Sequence, residues 1–340
     1  MPQLLSNLVP NFAPGRSCPL HYRYTPESFA RAADMHCETL YVVGGLYGNA
    51  QALAGVLELF EREPGTEGGT KRLVFNGDFH WFDIDPATFE QVSRSVLAHD
   101  ALRGNVETEI AAADGSADAG CGCAYPDWVG DGVVERSNRI LARLRTTAAK
   151  MPALTQQLAA LPMTLRADVG GLRVAIVHGD ATSLAGWGFA QELLRETAHR
   201  QEVRQWFARG EVDVFASSHT CAPVFCTLPL PKPSPGSRFH PRVLNNGAAG
   251  MPNLRGDASG LLTRISVHRY EGAERRFGVQ QGRWHMDAIA IPADQRLWQA
   301  AFLAQWPGGS DAHVSYWPRI SSGTDYDLAG SLIDDDSPED

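Results

Sequence analysis

Four polar side chains, each placed after an apolar run, carry the chemistry that can be read from this sequence. They are Asp78 in Asn76-Gly77-Asp78, Asn105 in Gly104-Asn105-Val106-Glu107, His178 in Val177-His178-Gly179-Asp180, and His219 in Ser218-His219-Thr220-Cys221. One carboxylate, one amide and two imidazoles suit a single borderline divalent transition metal such as Mn, Fe or Zn. Each position falls at an expected strand-to-loop turn, where open α/β sheets gather polar side chains over a ligand crevice. Taken singly, each has a plain structural reading: a turn-capping Asp, a left-handed Asn, a hydrogen-bonded core histidine. The four together point to one site.

The elements that must position them follow from the pattern. Residues 39–43 (TLYVV) form a short buried strand, and residues 72–75 form a second that runs into Asn76-Gly77-Asp78. Between them Leu53, Val56, Leu57 and Phe60 recur at helical spacing, predicting an amphipathic helix over 49–63. Residues 86–99 read as a helix with Pro86 in its first turn, and 133–161 as helical with a break at Pro152. A hairpin is expected across Gly170-Gly171 and helices over about 189–208; a strand over 212–216 leads to His219. Residues 261–268 and 284–291 read as late strands and 293–305 as a helix. Thr25-Pro26-Glu27 reads as the start of a helix ending near Met35. The chain thus divides into an N-terminal arm and helix (1–38), one domain (39–305) with a loop insertion at 111–131, and a C-terminal tail (306–340) ending in an acidic, solvated stretch.

Bulk properties set limits on function. A hydrophobic content of 44% and a charged content of 20% describe a globular chain with a sizeable core. A net charge of −9 and the lack of a dense Lys/Arg run argue against general nucleic-acid binding. No apolar run reaches membrane-spanning length, and the N-terminus lacks a secretory pattern, so the expected compartment is the cytoplasm. A small phosphorylated substrate remains compatible with the negative balance, because a bound metal inverts the local charge. Six cysteines are too sparse for a disulfide framework, and Cys121-Gly122-Cys123 has no partner pair at zinc-site spacing, which favours ordinary loop cysteines.

In their order along the chain these turns resemble the calcineurin-like metallophosphoesterase family, whose blocks read DxH(GN), GDxxD, GNH(E/D), an isolated His before Gly, and GHxH. The matching segments here are Gly45-Leu46-Tyr47-Gly48-Asn49, Gly77-Asp78-Phe79-His80-Trp81, Gly104-Asn105-Val106-Glu107, His178-Gly179-Asp180 and Ser218-His219-Thr220-Cys221. Residues 244–252 (LNNGAAGMP) are similar to a later family segment, so the resemblance spans about 39–268. It implies an α/β fold: a two-sheet mixed β-sandwich flanked by helices. It also implies metal-dependent hydrolysis of a phosphate mono- or diester, with an activated water as nucleophile.

The departures are uneven. The resemblance assigns the second metal to Asp78, Asn105, His178 and His219, all present. It assigns the first metal to positions held here by Gly45, Tyr47, Asp78 and Cys221, and the phosphate-bonding histidine to Val106. Tyr47 and Cys221 could form an altered first metal site; the blander reading is that they fill its space. Asp83, Asp85 or His80 could replace the second Asp of GDxxD, which is Trp81 here. Gly48 and Asn49 open a helix, so their amides are candidates to contact phosphate. The alternative function is a catalytically inactive relative that binds a phosphorylated ligand or a protein partner, and a third reading is a thiol or redox protein using Cys121, Cys123 or Cys221.

Overall fold

The computed structural model describes residues 13–63, 70–112, 119–229 and 239–334. Its strands are β1 (Met35–Cys37), β2 (Thr39–Val43), β3 (Lys71–Asn76), β4 (Asp100–Leu102), β5 (Thr164–Val169), β6 (Leu172–Val177), β7 (Val214–Ser217), β8 (Pro223–Thr227), β9 (Arg242–Asn246), β10 (Gly260–Ser266), β11 (Arg275–Gln281), β12 (Trp284–Ile291) and β13 (Leu332–Ile333). Its helices are α1 (Ala50–Arg62), α2 (Pro86–Leu97), α3 (Asn105–Ala111), α4 (Asp131–Ala148), α5 (Pro152–Ala159), α6 (Gln191–Arg195), α7 (Thr197–Gly210), α8 (Gln295–Gln305), α9 (Asp311–Ser322) and α10 (Leu328–Ser331).

The strands form a seven-stranded sheet, β1-β5-β6-β7-β9-β8-β13, and a six-stranded sheet, β11-β12-β10-β2-β3-β4. Both are mixed, and helices flank them, as the resemblance implies. Strand alternation builds the layers. Leu40 and Val42 of β2 face Val174 and Ile176 of β6 in the core between the sheets. Their neighbours Tyr41 and Val43 pack under α1 and α2, and Ala175 and Val177 pack under α7. Side chains of period two on a strand buried on both faces give this arrangement directly.

The site depends on two parallel pairs. β3 and β4 run parallel in one sheet, β6 and β7 in the other, and all four carboxyl ends reach the same side of the sandwich. Asn76 ties the sheets together there: its carbonyl accepts from Ser218 Oγ at 2.8 Å.

Several expectations need correction. The helix expected from Thr25 to Met35 is a single 3-10 turn, Pro26–Phe29, because Met35 and Cys37 are taken into β1, buried between the sheets and paired with β5. Strands β1, β4, β8, β9, β11 and β13 had no strand assignment from sequence. The C-terminal stretch is not a tail through residue 334: α9 buries Ala312 and Ile320, and β13 adds to the sheet beside β8. The 111–131 stretch is a loop where it is described, yet Ala119, Cys121 and Cys123 in it are buried rather than projecting. Residues 1–12 of the arm, 64–69, 113–118 of that loop, 230–238 and the acidic 335–340 lie outside the described residues. No helix among the described residues is long and apolar enough to cross a membrane.

Candidate metal centre

Asp78 follows β3 through Gly77 and takes a left-handed backbone, φ 52°. That turn is held by Glu107, a fully buried carboxylate that accepts N–H groups from Asp78 at 2.8 Å, Phe79 at 3.1 Å, His80 at 3.3 Å and Gly104 at 2.9 Å. One side chain thus fixes the turns after β3 and β4 against each other. Gly104 is required by packing: a Cβ there would sit 2.3 Å from Asp78 Oδ1. Asn105 then opens α3, with its side chain buried.

The four inward atoms converge. His178 Nε2 lies 3.3 Å from Asp78 Oδ2, 3.1 Å from Asn105 Oδ1 and 3.2 Å from His219 Nδ1. Asp78, His178 and His219 each offer a ligand atom within 4.8 Å of the others, and all three are buried.

The hydrogen bonds on their far sides decide what these atoms are. His178 Nδ1 faces the Asn76 carbonyl at 3.0 Å, and His219 Nε2 faces the Cys123 carbonyl at 3.0 Å. A carbonyl only accepts, so each of these nitrogens carries a proton, and in the neutral ring the inward nitrogen holds a lone pair. The Asn105 amide donates to the Cys121 carbonyl at 2.9 Å, which turns its oxygen inward. Asp78 supplies a carboxylate oxygen. With both imidazoles neutral, four buried acceptors point at one another. A metal cation resolves that repulsion, in competition with a proton on His178, and imidazoles anchored through their outer N–H are the arrangement that orients metal ligands. The donor set fits a divalent transition ion.

The two imidazoles differ in their hold on a second proton. Burial works against the charged form of His178, but the Asp78 carboxylate outweighs it and raises its pKa above 6.5. Burial and the neighbouring His178 hold His219 down to about 4, so its lone pair is free at neutral pH. Burial also works against the charge on Asp78, but His178 overcomes this and keeps it ionised, its pKa below the ordinary 3.8.

The other half of the expected site is built differently. The Tyr47 hydroxyl and Cys221 thiol share a hydrogen bond, 2.6 Å apart. The Tyr47 ring folds over Gly45, where a Cβ would lie 2.7 Å from its hydroxyl. Burial raises the pKa of both groups, so each keeps its proton. Neither shares hydrogen bonds with the four converging atoms.

Two further sequence assignments are corrected. The Gly48 and Asn49 amides are not free for phosphate: Gly48 N–H donates to Phe79 O at 2.7 Å and Asn49 N–H to Leu46 O at 3.1 Å. The Asn49 side chain caps α1 through Gln51 and Ala52. His80, Asp83 and Asp85 do not supply a site group. His80 Nδ1 pairs with Asp83 Oδ2 at 2.6 Å in the core and stacks on Phe89, and Asp85 caps α2.

A cavity of about 310 Å³ opens over Asp78, Asn105 and His219. Val106, Cys123 and Cys221 also line it, with Trp81, Trp187 and Tyr125. Its far wall comes from α4 and α9, through Arg136 and Tyr316. Two contributions were missed from sequence. The Cys121–Cys123 loop braces the centre through backbone carbonyls, and α9 closes the cavity. Carbonyls leave no mark in the residue code; the amphipathic Ala312-Ile320 pattern of α9 was the available signal.

No family model and no curated protein matches this sequence. Solved structures do match. The chain is similar to a hypothetical protein from Pyrococcus horikoshii OT3, at 16% identity and TM-score 0.52, over 85% of this chain and 99% of that one. It is similar to a metallophosphoesterase from Sphaerobacter thermophilus, at 14% identity and TM-score 0.53, over 85% of this chain and 100% of that one. With the two-sheet architecture and the buried Asp78–His178–His219 group, these matches identify the fold as that of the calcineurin-like metallophosphoesterases.

Proposed function

We propose that this protein hydrolyses a small phosphate mono- or diester, using one divalent transition metal held by Asp78, Asn105, His178 and His219. The observation that carries this reading is the convergence of four buried lone-pair atoms whose side chains are tied from behind to Asn76, Cys121 and Cys123 carbonyls. A divalent ion there supplies Lewis acidity and lowers the pKa of a coordinated water. Asp78 leaves such an ion a net charge of about +1 when imidazoles and amide are neutral, which still attracts phosphate. Asp78 and the two histidines orient the ion; Val106, in place of a polar residue, offers the leaving oxygen no proton.

Metal content by mass spectrometry, on protein purified without chelator, tests the reading. The expected result is about one transition ion per chain in the wild type and none in His178→Ala. Absence of metal even after adding it back would sink it. A second reading has its own support in the Tyr47–Cys221 pair, which fills the other half of the centre: a protein that binds a phosphorylated ligand without turning it over. Metal uptake with no hydrolysis of any phosphate ester would select it.

A further inference from the structure

We propose that the cavity over the metal centre selects phosphomonoesters of a flat ring bearing an acidic hydroxyl, that is aryl phosphates, over alkyl phosphates. This rests on the metal reading above and adds the substrate class.

Size comes first. About 310 Å³ is at the lower end of small-molecule sites, matched to one ring and one phosphoryl group rather than to a polymer. The walls come second. Trp187 packs edge-on to His219 with ring centroids 5.4 Å apart, so an aromatic surface begins at a metal ligand. It continues through Tyr125, 5.8 Å from Trp187, and on the other side Trp81 meets Tyr316 at 6.5 Å. Rings favour other rings in offset or edge contacts beyond what their buried area gives. An alkyl chain gains only the area.

Charge comes third. Arg136, on α4, reaches the same cavity; its Nε donates to Ser315 Oγ at 2.7 Å. Among the described residues no carboxylate lies within the 4.0 Å of an ion pair with it. A permanent cation in an aromatic wall suits an anionic ester and the anion that departs from it.

The leaving group comes last. The cavity lining among the described residues holds no Lys, no Glu and no His or Asp other than His219 and Asp78. The remaining proton donors are phenols, alcohols and thiols, weak acids at neutral pH. Burial makes Tyr125 and Tyr316 weaker still. In the step, a water oxygen bonds to phosphorus and the bond from phosphorus to the ring oxygen breaks. The electron pair leaves on the ring oxygen as a phenolate, which takes a proton from solvent, and the water's proton is released to solvent. An alkoxide would need a donor at that moment; a phenolate, with a conjugate acid near pKa ~10, does not.

Binding of phenylphosphonate and methylphosphonate to the metal-loaded protein, by calorimetry, separates the possibilities. The expected result is at least about tenfold tighter binding of the phenyl compound, a preference that Tyr316→Leu and Arg136→Met reduce while metal content is unchanged. Hydrolysis of aryl phosphates should then rise steeply with leaving-group acidity, leaving ethyl phosphate almost untouched. Equal binding of the two phosphonates, with metal bound, overturns the substrate class and leaves the metal reading standing. Failure to take up metal or bind either phosphonate overturns both.

Discussion

The two halves of this centre follow opposite rules. In the retained half, Asp78, Asn105, His178 and His219 turn acceptors toward one point, and each imidazole and the amide is held from behind by a main-chain carbonyl. In the replaced half, Tyr47 and Cys221 satisfy each other and the Tyr47 ring covers Gly45. With His178 neutral, the first half is assembled at an electrostatic disadvantage that a metal cation or a proton on His178 removes. The second is a packed, self-satisfied patch. Buried polar groups without partners are costly, so an arrangement that leaves four acceptors facing one another speaks for a ligand, whereas mutual satisfaction speaks for structure.

The largest effect that could break this comparison is the loss of Asp78. Asp78→Asn removes the one formal charge in the retained half while keeping its size. Metal affinity, measured by competition with a chelator, should fall by more than about 100-fold, beyond the ~10–100-fold typical of losing an outer-shell partner. Tyr47→Phe should leave it unchanged and cost about 1 kcal/mol of stability through the lost hydrogen bond. If both variants bind metal alike, the halves do not differ as described.

Stability gives the next test. An ion that binds the folded chain alone should stabilise it by about 2.7 kcal/mol at a free concentration of 100 Kd. Adding the metal should therefore raise the unfolding midpoint of the wild type, and leave that of a His178→Ala/His219→Ala double variant in place. A shift in both would place the binding elsewhere on the molecule.

The pH dependence sharpens the electrostatics of the retained half. The Asp78 carboxylate raises the His178 pKa above 6.5, so protons compete with metal at His178 first, and uptake should fall as pH drops through that raised value. His219, held down to about 4, stays a free ligand over that range. In the metal-free protein the signs oppose. His178 contributes stability that is complete below 6.5 and lost as pH rises through its folded value. His219 contributes stability present above 6.5 and lost as pH falls toward about 4. Metal uptake that is flat from pH 8 to 5 would contradict the pairing of His178 with Asp78.

The sequence made the retained half legible because its signal lies in side chains at strand ends: polar residues after the buried runs of β3, β6 and β7 are unusual enough to notice. It made the layers legible because period-two apolar strands and the 3.6-period of α1 each have one solution. It hid the bracing, because the Cys121 and Cys123 carbonyls act through the main chain and any residue could supply them. It suggested free amides at Gly48 and Asn49, because a glycine before a helix start looks the same whether its N–H meets a ligand or the Phe79 carbonyl. The helix after Pro26 failed for a third reason: capping chemistry starts a helix, but the pairing of Met35–Cys37 with β5 decided where it stopped.

The smallest expected effect is also the most specific test of the replaced half. If the Tyr47 ring occupies the space that a side chain at position 45 would need, the two positions must be energetically coupled. Gly45 has φ 64°, and a Cβ there would meet the Tyr47 ring and hydroxyl at 2.7–2.9 Å. Gly45→Ala alone should destabilise by about 1–3 kcal/mol through crowding and the left-handed backbone. In a Tyr47→Ala background the crowding is gone and the backbone term alone remains, so the same substitution should there cost about 1 kcal/mol or less. Denaturant midpoints of the two single variants and the double give the coupling directly, because residues in contact deviate from additivity by about 0.5–3 kcal/mol. Additive effects would mean that Tyr47 does not fill that space, and the contrast between a ligand half and a packed half would lose its second term.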